Sequence, residues 1–134
     1  MAKWNINKIE KAFNKEPVGT TIHQDHIAPA LTLNDYQNRA HKTAIYPVNK
    51  SLEYLITGLA SEVGEVSGKV AKYYRKDGEF PKEAVLDELG DVLWFVAELS
   101  TMLGSPLSKV AIGNIDKLAS RKDRGVLKGS GDNR

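Results

Sequence analysis

Two pairs of acids sit among residues that a helix would bury. Around the stretch LASEVGEVSGKVAKYYRKDG, Leu55, Leu59, Val66, Val70 and Tyr73 fall on one side at helical spacing. Glu62 lies inside that side, about 20° from the line through Leu55 and Tyr73, and Glu65 lies at its edge. A second stripe runs through Val85, Leu89, Val92, Leu93, Val96, Ser100 and Leu103, with Glu88 on its flank. Asp91 lies further round, beside Phe95 and Ala84. Spacing i, i+3 puts both acids of each pair on one face. If the two helices pack side by side, Glu62, Glu65, Glu88 and Asp91 can converge. Two carboxylates about 5 Å apart repel by roughly 3 kcal/mol at an effective dielectric near 20. Such a cluster needs protonation, pairing with Lys69, Lys72 or Lys82, or divalent cations. An all-oxygen donor set without histidine or cysteine suits a hard ion, Mg²⁺ or Mn²⁺.

The elements that must position these acids are helices. Thr32 is a good N-cap for a helix through LNDYQNRAHKTAI, which Pro47 stops. Ser51 is expected to cap a long helix that ends near RKDGEFP. Pro81 suits the start of the next, which Gly104 closes. Ser105 and Pro106 open a last helix, and the tail GVLKGSGDNR is glycine-rich and irregular. No convincing strand alternation and no internal repeat interrupts the pattern. The expected fold is all-α, a four-helix bundle. VLWFVA is apolar on all sides, so one chain cannot easily cover both faces of the third helix. A homo-oligomer, dimer or tetramer, is expected. Residues 1–30 read as an N-terminal arm with two prolines and a glycine in its second half. His23 and His26 in its HQDH stretch lack further ligands nearby and read as a solvated pair.

Composition sets the bounds. A chain of 134 residues with 41% hydrophobic and 27% charged residues is one globular domain. A net charge of +2 is too small to argue for nucleic acid, and no nucleic-acid partner is expected. The absence of cysteine excludes disulfides, thiolate metal sites and cysteine nucleophiles. No apolar run approaches a membrane span and no signal-peptide core is present, so the expected location is cytoplasmic.

The stretches GLASEVGEVSGKVAKYYRKDG, DELGDVLWFVAELSTMLG and VAIGNIDKLASRKDRGVLKGSGDNR together resemble the MazG-like nucleotide pyrophosphohydrolases, members of the all-α NTP pyrophosphatase superfamily with the dimeric dUTPases. The likeness runs over residues 31–134. It implies Mg²⁺-dependent hydrolysis of nucleoside triphosphates, often deoxy or non-standard ones, to the monophosphate and pyrophosphate. By position, Glu62, Glu65, Glu88 and Asp91 match the family's metal-binding acids. Asn114 and Lys117 match its polar pair facing the substrate phosphates. Many members carry a further Glu immediately before the first ligand, where this chain has Ser61.

Other candidates follow from position. Lys117 and Arg121 are i, i+4 on the fourth helix and can reach one side together; a solvated helix end would look the same. Arg134 in KGSGDNR could clamp an anion bidentately among glycines that let backbone N–H groups approach. Trp94 and Tyr74 are candidate stacking partners for a base, although an aromatic at helical spacing often serves the core. The competing readings are a non-catalytic helical module that binds nucleotide or metal, favoured by Ser61, and a nucleic-acid binder using the basic residues 117–134. The acid cluster would repel a phosphate backbone unless metals intervene. Release of pyrophosphate separates the enzyme from the module.

Overall fold

The computed structural model describes residues 30–129 and 131. The N-terminal arm, with His23 and His26, and Arg134 lie outside the described residues. The chain divides between Ala30 and Leu31, and the architecture below belongs to the second unit.

Four α-helices and no strand are present among the described residues: α1 (Leu33–His41), α2 (Ser51–Tyr74), α3 (Lys82–Met102) and α4 (Leu107–Asp123). The fold is all-α, as the periodicity predicts. Thr32 caps α1 in a capping box, its hydroxyl accepting from the Asp35 amide while the Asp35 carboxylate reaches back to the Thr32 amide. The Thr32 hydroxyl, donating to the Asp35 carboxylate at 2.6 Å, and then the Thr32 amide hold the Asp35 carboxyl below its usual range. Gly104 closes α3 in a Schellman turn. Its φ is 67°, and the amides of Gly104 and Ser105 bond to the carbonyls of Thr101 and Ser100. The same turn ends α2 around Lys76, a non-glycine residue at φ 67°.

Ser51 does not cap α2. A short 3₁₀ turn (Val48–Lys50) follows Pro47, Lys50 takes the cap position, and the Ser51 hydroxyl donates to the Val48 carbonyl. The 3₁₀ turn begins the helical path three residues early, so Ser51 is already inside it. The N-terminus of α4 shows the opposite case. Pro106 offers no side-chain cap, and the first amides of α4 are satisfied from α1 instead. Leu107 N–H donates to Gln37 Oε1 at 2.7 Å and Ser108 N–H to Asn34 Oδ1 at 3.0 Å. Gln37 also donates to Thr101 Oγ1 and the Ser105 carbonyl, so one buried amide ties three helices.

α2 and α3 form a long antiparallel hairpin, evident from the pairs in contact. Tyr54 meets Phe95, Lys69 meets Glu88, and Tyr73 meets Phe80, so partners descend on α3 as they ascend on α2. Gly58 permits the closest approach. A Cβ there would lie 2.2 Å from the Phe95 ring. α1 runs antiparallel along another side of α3, with His41 against Glu98 and Gln37 against Thr101. Ala40, Ala97 and Leu107 form a small core with Tyr36, Trp94 and Val96 packed on it, and Leu55 is fully buried.

The expected stripe of α3 is only partly the buried one: its Ser100 is buried and its Val85, Val92 and Val96 are half-buried. Leu89, Leu93 and Leu103 are exposed, while Phe95, Ala97, Glu98 and Ser100 are buried. The neighbours cover the Phe95 and Ala97 sides and have no surface left for the leucines. Ile112, Ile115 and Leu118 of α4 and Ile56 and Val63 of α2 are exposed as well.

Candidate active site

Three of the four expected acids come together. Glu62 and Glu65 of α2 and Glu88 of α3 each offer a carboxylate oxygen, and these atoms lie within 4.8 Å of one another. The i, i+3 spacing supplies the first two from consecutive turns, and the hairpin register brings the third opposite them. Asp91 stands outside this trio. It is exposed, and its charge reaches Glu62 through space. The separation reflects the position of Asp91 on α3, further round the helix than Glu88.

Of the two metal-free ways of tolerating such a cluster, lysine pairing is present and protonation is favoured at Glu62. Burial raises the Glu62 carboxyl above the usual carboxylate range, helped by the neighbouring charges of Glu65, Asp91 and Glu88 and a hydrogen bond to Glu88. Lys69 supplies the pairing. Its Nζ donates to Glu88 Oε1 at 2.5 Å and lies 3.9 Å from Glu65 Oε2. The hydrogen bond to Glu88 is the main reason the Lys69 ammonium holds its proton more firmly than usual. The oxygen donors and their convergence fit a hard divalent cation.

A cavity of about 570 Å³ opens beside Glu62. Lys50, Tyr54, Thr57, Gly58, Ser61 and Phe95 are among the residues on its walls. Lys50, Tyr54, Thr57 and Phe95 were not singled out by spacing. The signal was there, since residues 50, 54, 57, 58, 61 and 62 recur at helical intervals beside the acids. Ser61 is exposed on this wall, so no acid stands there.

Behind the aromatic wall lies a buried carboxylate that periodicity had assigned no role. Glu98 is fully buried. It accepts from the Tyr46 hydroxyl at 2.7 Å and lies 3.1 Å from His41 Nδ1. Burial and the Glu98 carboxylate push the Tyr46 hydroxyl up to about 12. Tyr46 stacks on Tyr54, with ring centroids 5.2 Å apart, so Glu98 anchors one side of the aromatic group. Trp94, expected as a stacking partner for a base, is half-buried. Its indole N–H donates to Thr43 Oγ1 at 2.8 Å, and its ring stands edge-on to Tyr46 and Phe95. Tyr74 is exposed at the end of α2 and packs against Tyr73.

The fourth helix does not join this group within one chain. α4 packs on α1 and α3 and makes no helix contact with α2 among the described residues. Asn114 and Lys117 are exposed along it. Arg121 is buried, and one of its terminal nitrogens reaches the Gly131 carbonyl at 3.5 Å. It therefore faces the tail segment, not open solvent.

Comparison with known proteins places the chain in a family. The Gene 37 protein of Mycobacterium phage L5 is 49% identical over 109 residues, which cover 74% of this chain and 96% of the phage protein. No solved structure matches the chain. Residues 50–126, from the start of α2 past the end of α4, match the MazG nucleotide pyrophosphohydrolase domain. The acid pairs and the helical hairpin that unites them lie inside the matched region, and the chain belongs to the MazG nucleotide pyrophosphohydrolase family.

Proposed function

We propose that this protein is a Mg²⁺-dependent nucleoside triphosphate pyrophosphohydrolase, with Mn²⁺ able to replace Mg²⁺, acting on canonical or non-standard ribo- or deoxynucleotides. The observation that carries this reading is the convergence of Glu62, Glu65 and Glu88 beside a cavity with aromatic walls. These three and Asp91 would hold the metal. Bound there, it would offset phosphate charge and make a water more acidic.

The chain's own residues do the rest. Glu62, whose carboxyl is raised by burial and by the neighbouring acids, is the candidate to accept the proton of the attacking water. Tyr54 and Phe95 offer apolar ring surface for a base, and Lys50 offers a cation on the same wall. Asn114, Lys117, Arg121 and Arg134 are the candidates for the phosphate chain. Because α4 does not reach α2, Asn114 and Lys117 would serve the site of a neighbouring subunit. The domain that carries the activity is residues 31–134, and a reducing, cytoplasmic setting suits a chain without cysteine. No helix among the described residues is long and apolar enough to cross a membrane.

The reaction is tested with a panel of canonical and modified triphosphates and Mg²⁺, products separated by ion exchange. Monophosphate and pyrophosphate are expected. Orthophosphate release would refute the reaction class, and triphosphate bound but left intact would favour the non-catalytic module. The exposed leucines of α3 and the isoleucines of α4 support a homo-oligomer, dimer or tetramer. Light scattering after size exclusion should give a multiple of the chain mass, and elution as a monomer would exclude the shared site.

A further inference from the structure

The acid cluster already contains a cation. Lys69 follows Glu65 by one turn on α2, and Glu62, Glu65 and Lys69 occupy one face at i, i+3 and i+7. Its ammonium contacts two of the three converging carboxylates, Glu88 at 2.5 Å and Glu65 at 3.9 Å. Glu88 is the more enclosed partner, with a side chain 14% exposed, and Lys69 itself is 25% exposed. Among the described residues, the ion pairs seen at Glu65 and Glu88 are both made by Lys69. Lys72, one turn away in the opposite sense, is exposed. The charges bearing on Lys69 are Glu65 from α2 and Glu88 and Asp87 from α3, and Glu62 feels Glu65, Asp91 and Glu88.

A dication held by Glu62, Glu65 and Glu88 would take the same carboxylate charge that now binds Lys69. It would also lie one carboxylate away from an ammonium, at a distance where like charges repel strongly in a partly enclosed site. Both cannot enjoy Glu88 fully. We propose that Lys69 is the built-in counter-ion of the acid cluster, which a divalent cation must displace, so that this one lysine sets the metal affinity of the site. The inference rests on the metal-holding role given above to Glu62, Glu65 and Glu88. In the metal-free chain, Lys69 keeps three mutually repelling groups together. On metal binding, its contribution turns from favourable to unfavourable.

A purely structural salt bridge makes the opposite prediction. Glu88 has two oxygens, and a lysine held on one of them while the other takes the metal would leave affinity unchanged or support it. The two cases separate when Mn²⁺ binding to the full chain is measured by electron paramagnetic resonance or calorimetry without nucleotide. Lys69→Met and Lys69→Gln should bind Mn²⁺ about two- to fivefold more tightly, the scale of one partly exposed ion pair. Lys69→Arg, which keeps the charge, should show no such tightening. Methionine and glutamine are both good helix formers, so neither change threatens α2 itself. Thermal melts give a second readout. Without metal, Lys69→Met should melt below the unaltered protein, and at saturating Mn²⁺ the gap should close or reverse. Unchanged or weaker Mn²⁺ affinity in both neutral variants would overturn the proposal. If the unaltered chain binds Mn²⁺ and Glu88→Gln loses it, the metal site stands whatever Lys69 does. If the unaltered chain binds no Mn²⁺, the metal site and the role of Lys69 fall together.

Discussion

Glu62→Gln is expected to lower pyrophosphate release by roughly a thousandfold or more while raising the melting temperature of the metal-free protein at neutral pH. The loss follows from its two proposed roles, since an amide neither balances metal charge nor accepts a proton from water. The gain follows from its surroundings. Burial and the charges of Glu65, Asp91 and Glu88 raise the folded-state pKa of Glu62 above the unfolded value. A group raised in this way favours the folded state below its unfolded pKa, and that stability is lost as pH rises through the folded value. Once ionised, Glu62 therefore weakens the fold, and glutamine removes the charge while keeping the shape. Each kcal/mol relieved should raise Tm by roughly 4 °C in a chain of this size. Metal-free melts from pH 4 to 8 provide the check: the decline in Tm above the usual carboxylate range should be shallower in the variant. Full turnover in Glu62→Gln would remove this residue from the mechanism, and a lower Tm would show that its carboxylate is a net structural asset.

Gly58→Ala should have the largest effect on stability from the smallest change. Alanine is favoured over glycine inside a helix by up to about 1 kcal/mol. At position 58, however, the new methyl would lie 2.2 Å from two atoms of the Phe95 ring. That ring is buried, edge-on to Trp94 and tilted against Tyr54, so it cannot swing aside without disturbing both. Overpacking of this kind costs about 1–3 kcal/mol or more. A net loss of roughly 2 kcal/mol is expected. Gly68→Ala, on the same helix with nothing within 4 Å of its added Cβ, should move stability the other way by about 0.5–1 kcal/mol. Opposite signs from one chemical change on one helix would establish that contact with Phe95, not helix propensity, governs position 58. Gly58 and Phe95 also line the cavity beside Glu62. Gly58→Ala should therefore raise KM for the triphosphate even in molecules that remain folded. A stabilised Gly58→Ala protein would mean that the hairpin does not close as tightly as described.

Much of the local design was legible. The 3.6-residue periodicity gave the helices, the Thr32–Asp35 pair gave a helix start, and Gly104 gave a helix end. Each depends on residues within a turn or two of one another, which one linear stretch contains. Ser51 marks the limit of that reasoning. A good capping residue was overridden by the helical turn that Pro47 opened three residues earlier.

The site was half legible for the same reason. Spacing i, i+3 fixes Glu62 with Glu65 on one face, and Glu88 with Asp91, whatever the rest of the chain does. It leaves open the rotation of α3 about its axis, and that rotation decides which members of the two pairs meet. With the Phe95 ring seated at the Gly58 notch, a Glu88 oxygen gathers with those of Glu62 and Glu65, while Asp91 acts on Glu62 through space. Lys69, one of three lysines within plausible reach, becomes the partner through the same register. Burial of Glu98 between His41 and Tyr46, and the capping of α4 by Gln37 and Asn34, join residues 52 to 74 positions apart. The order of residues alone determined that this chain makes amphipathic helices carrying paired acids. Only the packed structure decided which acids share a space, which lysine answers them and which apolar faces remain uncovered, because those outcomes depend on how rigid helices rotate and slide against one another, and no contact within a single helix fixes that.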